Sequence, residues 1–169
     1  MSPRDRRLMS DLRQMEELAS TGGFSFRTEG NPPDVYHLML NERGIAVGAD
    51  GRLAVRGLHR FDAYLHREYP RRPPIITWLT PIFHPNILGP ERNGGVCIGS
   101  WSAAESLSDL CVRLRNLVAY RSVNPADALN REAGEWATRH QIRAGTDVAE
   151  LAALELERGF DVALVGAAR

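Results

Sequence analysis

Residues 69–99 read YPRRPPIITWLTPIFHPNILGPERNGGVCIG. Prolines flank a short apolar run, an HPN tripeptide occupies positions 84–86, and one of the chain's two cysteines, Cys97, follows between glycines. Proline fixes φ and removes a backbone donor, so this stretch cannot extend a strand ladder far or continue a helix. From Thr80 to Ala104 neither helical nor strand periodicity is present. Long irregular segments inside compact domains are functional or disordered, and the mixed apolar and proline content argues against disorder. The residues therefore either shape an awkward loop over an ordinary core or hold Cys97 for chemistry.

Outward from this segment the patterns are regular. Upstream, Leu8, Leu12, Met15 and Leu18–Ala19 recur at three- and four-residue spacing, which predicts a helix from Pro3 to Ala19. Thr21, Gly22 and Gly23 end it. Phe24–Phe26 and Val35–Leu40 read as strands with a turn at 31–34 between them. The glycine-rich stretch 44–57 suggests another short hairpin, and Phe61–Leu65 and Pro74–Leu79 suggest further strands. Short connections make this an antiparallel meander of about four strands. Downstream, Leu107, Leu110, Cys111, Leu114, Leu117 and Val118 form an apolar stripe, opened by a capping box of Ser106 and Asp109. Asn124-Pro125 reads as the cap and first position of a helix running to about His140, with Leu129, Ala133 and Trp136 on one side. A last helix, about 147–158, leads into an apolar tail. The expectation is one α+β domain, with residues 1–141 as its core and 142–169 as a C-terminal helical extension.

Composition bounds the function. The chain has 169 residues, 43% hydrophobic and 25% charged, which suits one globular domain. No apolar run reaches bilayer length, and the charged N-terminus lacks the apolar core of a secretory signal. Two cysteines make no disulfide framework and no zinc spacing, so a reducing cytoplasm and no metal are expected. The formal net charge is zero, which gives no footprint for nucleic acid or an anionic membrane. All 21 basic residues are arginine. A GC-rich genome accounts for this, and a second account follows from the chemistry below.

The ordered set of motifs resembles the ubiquitin-conjugating enzyme family. It comprises Tyr69-Pro70 with Pro73-Pro74, Thr80-Pro81-Ile82-Phe83-His84-Pro85-Asn86, Gly94-Gly95-Val96-Cys97-Ile98, Trp101-Ser102, and Asn124-Pro125-Ala126-Asp127-Ala128-Leu129. The resemblance covers about residues 3–141. It implies the family's α+β fold and a cysteine that accepts ubiquitin, or a relative, as a thioester from an activating enzyme. The modifier then passes to an amine of a target protein or to a ligase, with no cofactor in the conjugating enzyme itself. Cys97 matches the acceptor, Asn86 the HPN asparagine and Asp127 the acidic residue facing the incoming amine. The arginine-only composition and altered surface resemble bacterial versions, encoded in operons with an activating enzyme, a ubiquitin-like protein and a deconjugating peptidase, often in defence against phage.

The sequence also departs from the family pattern. The gap from Asn86 to Cys97 is longer than usual, with residues 89–92 expanding the loop, and the gap from Cys97 to Trp101 is shorter. Asn86 is then expected to return to the cysteine by a different path. Arg71 stands where many members carry an aromatic ligase anchor, and Ala103 replaces the proline after Trp101-Ser102, so this ligase-like surface is altered.

Each candidate has a plainer reading beside it. Cys97 is either the acceptor or a small buried hydrophobe, whereas Cys111 in the helical stripe reads as core. Asn86 either donates its amide to an oxyanion or bonds its own loop. His84 and Pro85 read as loop-structuring, and the competing reading of His84 is the base of a Cys–His hydrolase. Asp127 either satisfies free N–H groups at a helix start or orients the attacking amine. Arg4, Arg6, Arg7 and Arg13 form either a solvated helix face or a docking face for the activating enzyme. A non-catalytic binding module of the same fold is a further alternative. Finally, a thioester carrier endangers its own amines, since tethered groups react at high effective concentration. A chain without lysine leaves only the Met1 amine and hydroxyls open to this.

Overall fold

A computed structural model describes residues 1–156. Helix α1 (Pro3–Ser20) starts at Ser2, whose hydroxyl accepts from the Asp5 N–H while the Asp5 carboxylate accepts from the Ser2 N–H. This reciprocal cap satisfies donors that a helix start leaves open. Strands β1 (Phe24–Gly30), β2 (Pro33–Val47), β3 (Leu53–Tyr64) and β4 (Ile75–Trp78) follow as one antiparallel sheet in the order β1-β2-β3-β4. Tyr36, Leu38 and Leu40 on β2 are buried, while His37 and Met39 between them face the other side. This alternation of period two sets which face meets the core.

The stretch 44–57 is not a separate hairpin, and Phe61–Leu65 is not a separate strand. Both belong to one long β2–β3 ribbon, paired from Val35–Tyr64 to Val47–Leu53, with its turn at residues 48–52 and a register shift between Asn41 and Gly44. Gly44 is required at that shift. A Cβ there would lie 2.9 Å from a side-chain carbon of Val118, where the end of the next helix presses on the strand.

Helix α2 (Leu107–Val118) buries Leu107, Leu110, Cys111, Leu114 and Val118. Its capping box of Ser106 and Asp109 is present as expected. It packs on α1 and β2, and its apolar face completes a core with Met15, Phe61 and Trp78. The Phe61 and Trp78 rings stack at 5.0 Å. A second core gathers Phe83, Tyr120, Trp136 and Leu151 behind the HPN segment.

The helix expected from Asn124 to His140 is corrected. Pro125–Asp127 forms a single 3-10 turn with no side-chain cap from Asn124, Ala128 is extended, and helix α3 spans Arg131–Arg139. Its cap is Asn130, whose side chain accepts from the Ala133 N–H at 3.2 Å. Leu129 therefore precedes the helix and is exposed rather than facing its apolar side. Helix α4 (Val148–Ala152), capped by Asp147, packs on β2 and β3. The rest of the expected last helix beyond residue 156, and the apolar tail, lie outside the described residues.

Candidate functional site around Cys97

The segment between Asn86 and Cys97 folds back on itself. Ile87 bridges Val96, the Leu88 N–H donates to the Gly95 carbonyl at 2.8 Å, and the Cys97 N–H donates to the Asn86 carbonyl at 2.9 Å. The extra residues are excluded into a closed turn at 89–94, built on the 3-10 turn Pro90–Arg92. Asn93 and Gly94 both take positive φ, at 70° and 69°. The turn is pinned to the sheet by Trp78, whose N–H donates to the Gly94 carbonyl at 2.8 Å. The expected detour of Asn86 is thus absent: the insertion adds a turn and leaves the two residues paired through their backbones.

His84 is fully buried. Its Nδ1 accepts the Asn86 N–H at 2.9 Å, which assigns the ring proton to Nε2. Burial pushes its pKa down to about 3, so the ring is neutral at ordinary pH. It packs 4.5 Å, centroid to centroid, from Tyr120 and is not among the residues lining the cleft at Cys97. That corrects the hydrolase reading, which needs the imidazole beside the thiol. The Pro85 carbonyl accepts the Asn130 N–H at 2.9 Å and so ties the HPN loop to the start of α3.

Asn86 spends its whole side chain on the segment opposite. Its amide nitrogen donates to the carbonyls of Asn124 (3.0 Å) and Asp127 (3.2 Å), and its Oδ1 accepts the Asn124 N–H at 2.9 Å. Both amide hydrogens are occupied, so donation to an oxyanion at Cys97 requires one of them to be released. The same three bonds hold the turn that carries Asp127 against the cysteine segment. The Asp127 carboxylate is exposed and has no hydrogen-bond partner among the described residues. It does not serve a helix start, because no α-helix begins there.

Cys97 is a free thiol, partly exposed, on a cleft of about 260 Å³. Asn86, Arg113, Asn116, Asn124 and Asp127 supply polar groups to its walls, and α2 supplies apolar ones. Cys111 is enclosed in the core, and burial raises its thiol pKa well above the usual range. Among the described residues no cluster of three or more His, Cys, Asp or Glu could hold a metal ion.

The arginines of α1 divide. Arg7 donates to the Asp11 carboxylate, the Tyr69 hydroxyl, and the carbonyls of Ala103 and Glu105. Asp11 is itself buried and accepts from Tyr69 (2.8 Å) and from the Leu107 N–H (2.9 Å). Arg4 donates to the carbonyls of Leu65 and His66. These two are internal ties between α1 and neighbouring loops, and both stay partly exposed. Arg6 and Arg13 stay exposed. Trp101 donates to the Pro70 carbonyl at 2.8 Å and leans on Tyr69, while Arg71, Ser102 and Ala103 are exposed. Two important residues escaped the sequence reading. Asp11 was marked only by standing four residues after Arg7, and Arg113 by being a polar position on an apolar helix.

The chain resembles known proteins along most of its length. Residues 7–151 match the family model described as "Ubiquitin-conjugating enzyme". The chain is 27% identical over 134 residues to ubiquitin-conjugating enzyme E2 S of Drosophila persimilis, covering 73% of this chain and 57% of that one. It is 29% identical over 151 residues to the NEDD8-conjugating enzyme UBC12 of Eremothecium gossypii, covering 87% and 74%. It therefore spans a little over half the length of the first relative and about three quarters of the second. Among solved structures, a putative ubiquitin-conjugating enzyme of Trypanosoma cruzi superposes with TM-score 0.60 at 20% identity, over 83% of this chain and 92% of that one. The E2 domain of a Toxoplasma gondii ubiquitin-conjugating enzyme gives 0.55 at 21%, over 77% and 87%. With the paired HPN and cysteine segments and the meander between flanking helices, the match places this chain in the ubiquitin-conjugating enzyme family.

Proposed function

We propose that this chain carries a ubiquitin-like modifier as a thioester on Cys97 and transfers it to an amine of a target protein. The observation that carries the reading is the cleft. A partly exposed thiol faces a turn whose one carboxylate, on Asp127, has no partner among the described residues. In the first step the Cys97 thiolate attacks the modifier's acyl carbon on an activating enzyme, and that enzyme's thiol leaves. In the second the target amine attacks, a C–N bond forms, the C–S bond to Cys97 breaks, and the amine's proton passes to the Asp127 carboxylate or to water. Asn86 acts as a positioning residue that holds the Asp127 turn. No cofactor is needed, since thiol and thioester exchange nearly isoenergetically.

Arg6 and Arg13 on α1 are the arginines left to meet an activating enzyme. Arg71, Ser102 and Ala103 offer no large apolar anchor to a ligase, which supports a different partner or direct transfer. Residues 1–141 form the conjugating core and the described residues from 142 to 156 extend the same domain. A reducing cytoplasm suits a free thiol carrier, and a bacterial conjugation operon with an antiphage role is the setting that the family resemblance supports.

The test is to mix the protein with ATP, activating enzyme and modifier and run a gel without reductant. A thiol-sensitive band that disappears in Cys97→Ala is expected. Its absence with correct partners overturns the carrier reading. Equal modifier binding by wild type and Cys97→Ala, with no adduct on either, selects a binding module instead.

A further inference from the structure

Among the residues lining the cleft at Cys97, one is a cation, Arg113 on α2. Its guanidinium divides its donors between two tasks. One nitrogen donates to the Glu105 carboxylate at 2.7 Å. The other donates to the Ile98 carbonyl and to the Ser100 carbonyl, the latter at 3.1 Å. The other oxygen of Glu105 accepts the Ser102 N–H at 3.2 Å. Residues 97–105 form no regular element apart from the bridge at Val96 that precedes them. Arg113 and Glu105 therefore supply hydrogen bonds that this shortened segment does not make for itself. Gly99, at φ 74°, brings the chain close under the guanidinium, with a Cβ position 3.6 Å from its nitrogen.

We propose that Arg113 is a second positioning residue of the cleft, beside Asn86, and that its being arginine rather than lysine keeps a thioester on Cys97 from transferring to the enzyme itself. The inference rests on the carrier reading above. A guanidinium stays protonated and is no nucleophile at ordinary pH. A lysine amine of reference pKa near 10.4 is free in a fraction on the order of 10⁻³ at pH 7. A tethered amine has an effective concentration far above that of any amine in solution, which outweighs so small a fraction. The amine attacks the acyl carbon, a C–N bond forms, Cys97 leaves as thiolate, and the proton goes to Asp127 or water. An absence of lysine from the whole chain then has one position, at the lip of the thiol cleft, where it matters most.

The test needs no activating enzyme. A short peptide ending in Gly-Gly, as its 2-mercaptoethanesulfonate thioester, is exchanged onto Cys97 of the full chain, and intact mass is read before and after dithiothreitol. Wild type is expected to give an adduct that dithiothreitol removes fully. Arg113→Lys is expected to convert it to a resistant amide, mapped by fragmentation to position 113. The conversion should run roughly tenfold faster, or more, than any resistant adduct on Arg27→Lys, which places an amine on β1 outside the cleft. Resistance of Cys111 to alkylation verifies the fold of each variant. If Arg113→Lys loads but forms no resistant adduct, or Arg27→Lys forms one as fast, the inference is overturned and the carrier reading stands. If wild type does not load at Cys97, both fall. A second variant, Arg113→Gln, tests positioning without an amine. Its loaded peptide should pass to free lysine roughly tenfold more slowly while the thermal midpoint moves by only a few degrees, and an unchanged discharge rate overturns the positioning role.

Discussion

The backbone N–H of Cys97 donates to the carbonyl of Asn86 at 2.9 Å. One bond thus sets the register between the Cys97 thiol and the residue that anchors the opposite wall. The side chain of Asn86 reaches the other way, to Asn124 and Asp127. Thiol, asparagine and carboxylate are therefore held by backbone pairing and one amide, and the inserted turn at 89–94 stands outside that arrangement.

The insertion is nonetheless built into the sheet, which makes Gly94 sensitive. Its φ is positive, and a Cβ there would lie 2.3 Å from the Trp78 carbonyl oxygen. Backbone cannot yield as a flexible side chain does. Gly94→Ala is expected to cost about 2–4 kcal/mol in denaturant unfolding. A change under about 0.5 kcal/mol would mean the turn re-forms freely without the Trp78 contact.

Asn86 invites a separation of tether from oxyanion donor. Asn86→Ala leaves the Asn124 N–H and the carbonyls of Asn124 and Asp127 without their partner, at a cost of about 1–3 kcal/mol. The released turn should show faster amide exchange at Asn124, together with slower discharge. Asn86→Asp keeps the acceptor for the Asn124 N–H and loses both donors. If Asn86 acts through the turn, discharge and Asn124 protection should fall in parallel across the two variants. Discharge lost with protection intact would assign the amide to the oxyanion instead.

The stripe and capping box of α2 were legible because local spacing and core burial demand the same residues. The hairpin of 86–88 with 95–97 was not, because two or three paired residues carry no period. The start of α3 was misread for a related reason. Both Asn124 and Asn130 are good cap types, but Asn86, far away in sequence, binds the backbone N–H and carbonyl of Asn124 within the turn, and the side chain that accepts a helix N–H is that of Asn130. Arg7 looked solvated on a helical wheel. Asp11 stands one turn away on the same helix, but Tyr69 and the carbonyls of Ala103 and Glu105 come within reach only once α1 meets their loops.

That meeting predicts a large effect at Asp11. Its buried carboxylate accepts from Arg7, Tyr69 and the Leu107 N–H that opens α2. Asp11→Ala leaves a cation, a buried hydroxyl and a helix-end donor uncompensated, so a loss of about 3–5 kcal/mol is expected. Chemical denaturation checks it. A loss below about 1 kcal/mol would show that water replaces the carboxylate.

Acid should act on stability through His84. Burial holds the folded ring's pKa near 3 against 6.5 for the free group. Between those values the unfolded chain binds a proton that the folded chain does not. Stability from this residue is therefore full above about pH 6.5 and falls toward pH 3, by on the order of a few kcal/mol. His37 has the opposite sign. Glu29 and then Asp62 raise its pKa, so its contribution is complete below pH 6.5 and is lost as pH rises through the folded value. Unfolding of His84→Gln between pH 4 and 7 should show a shallower slope than wild type, and an equal slope would remove His84 as the cause.

Asp127 gives the sharpest separation of structure from chemistry. The turn is held through its backbone carbonyl, and the carboxylate makes no hydrogen bond among the described residues. Asp127→Asn should therefore leave the thermal midpoint and the rate of loading at Cys97 unchanged. Transfer from preloaded enzyme to free lysine should fall by about 10²–10⁴, the range for a lost proton acceptor. Because the substitution removes charge and basicity while keeping shape, a drop confined to discharge assigns the carboxylate to the incoming amine. A lower midpoint with discharge intact would return Asp127 to a purely structural part in the turn.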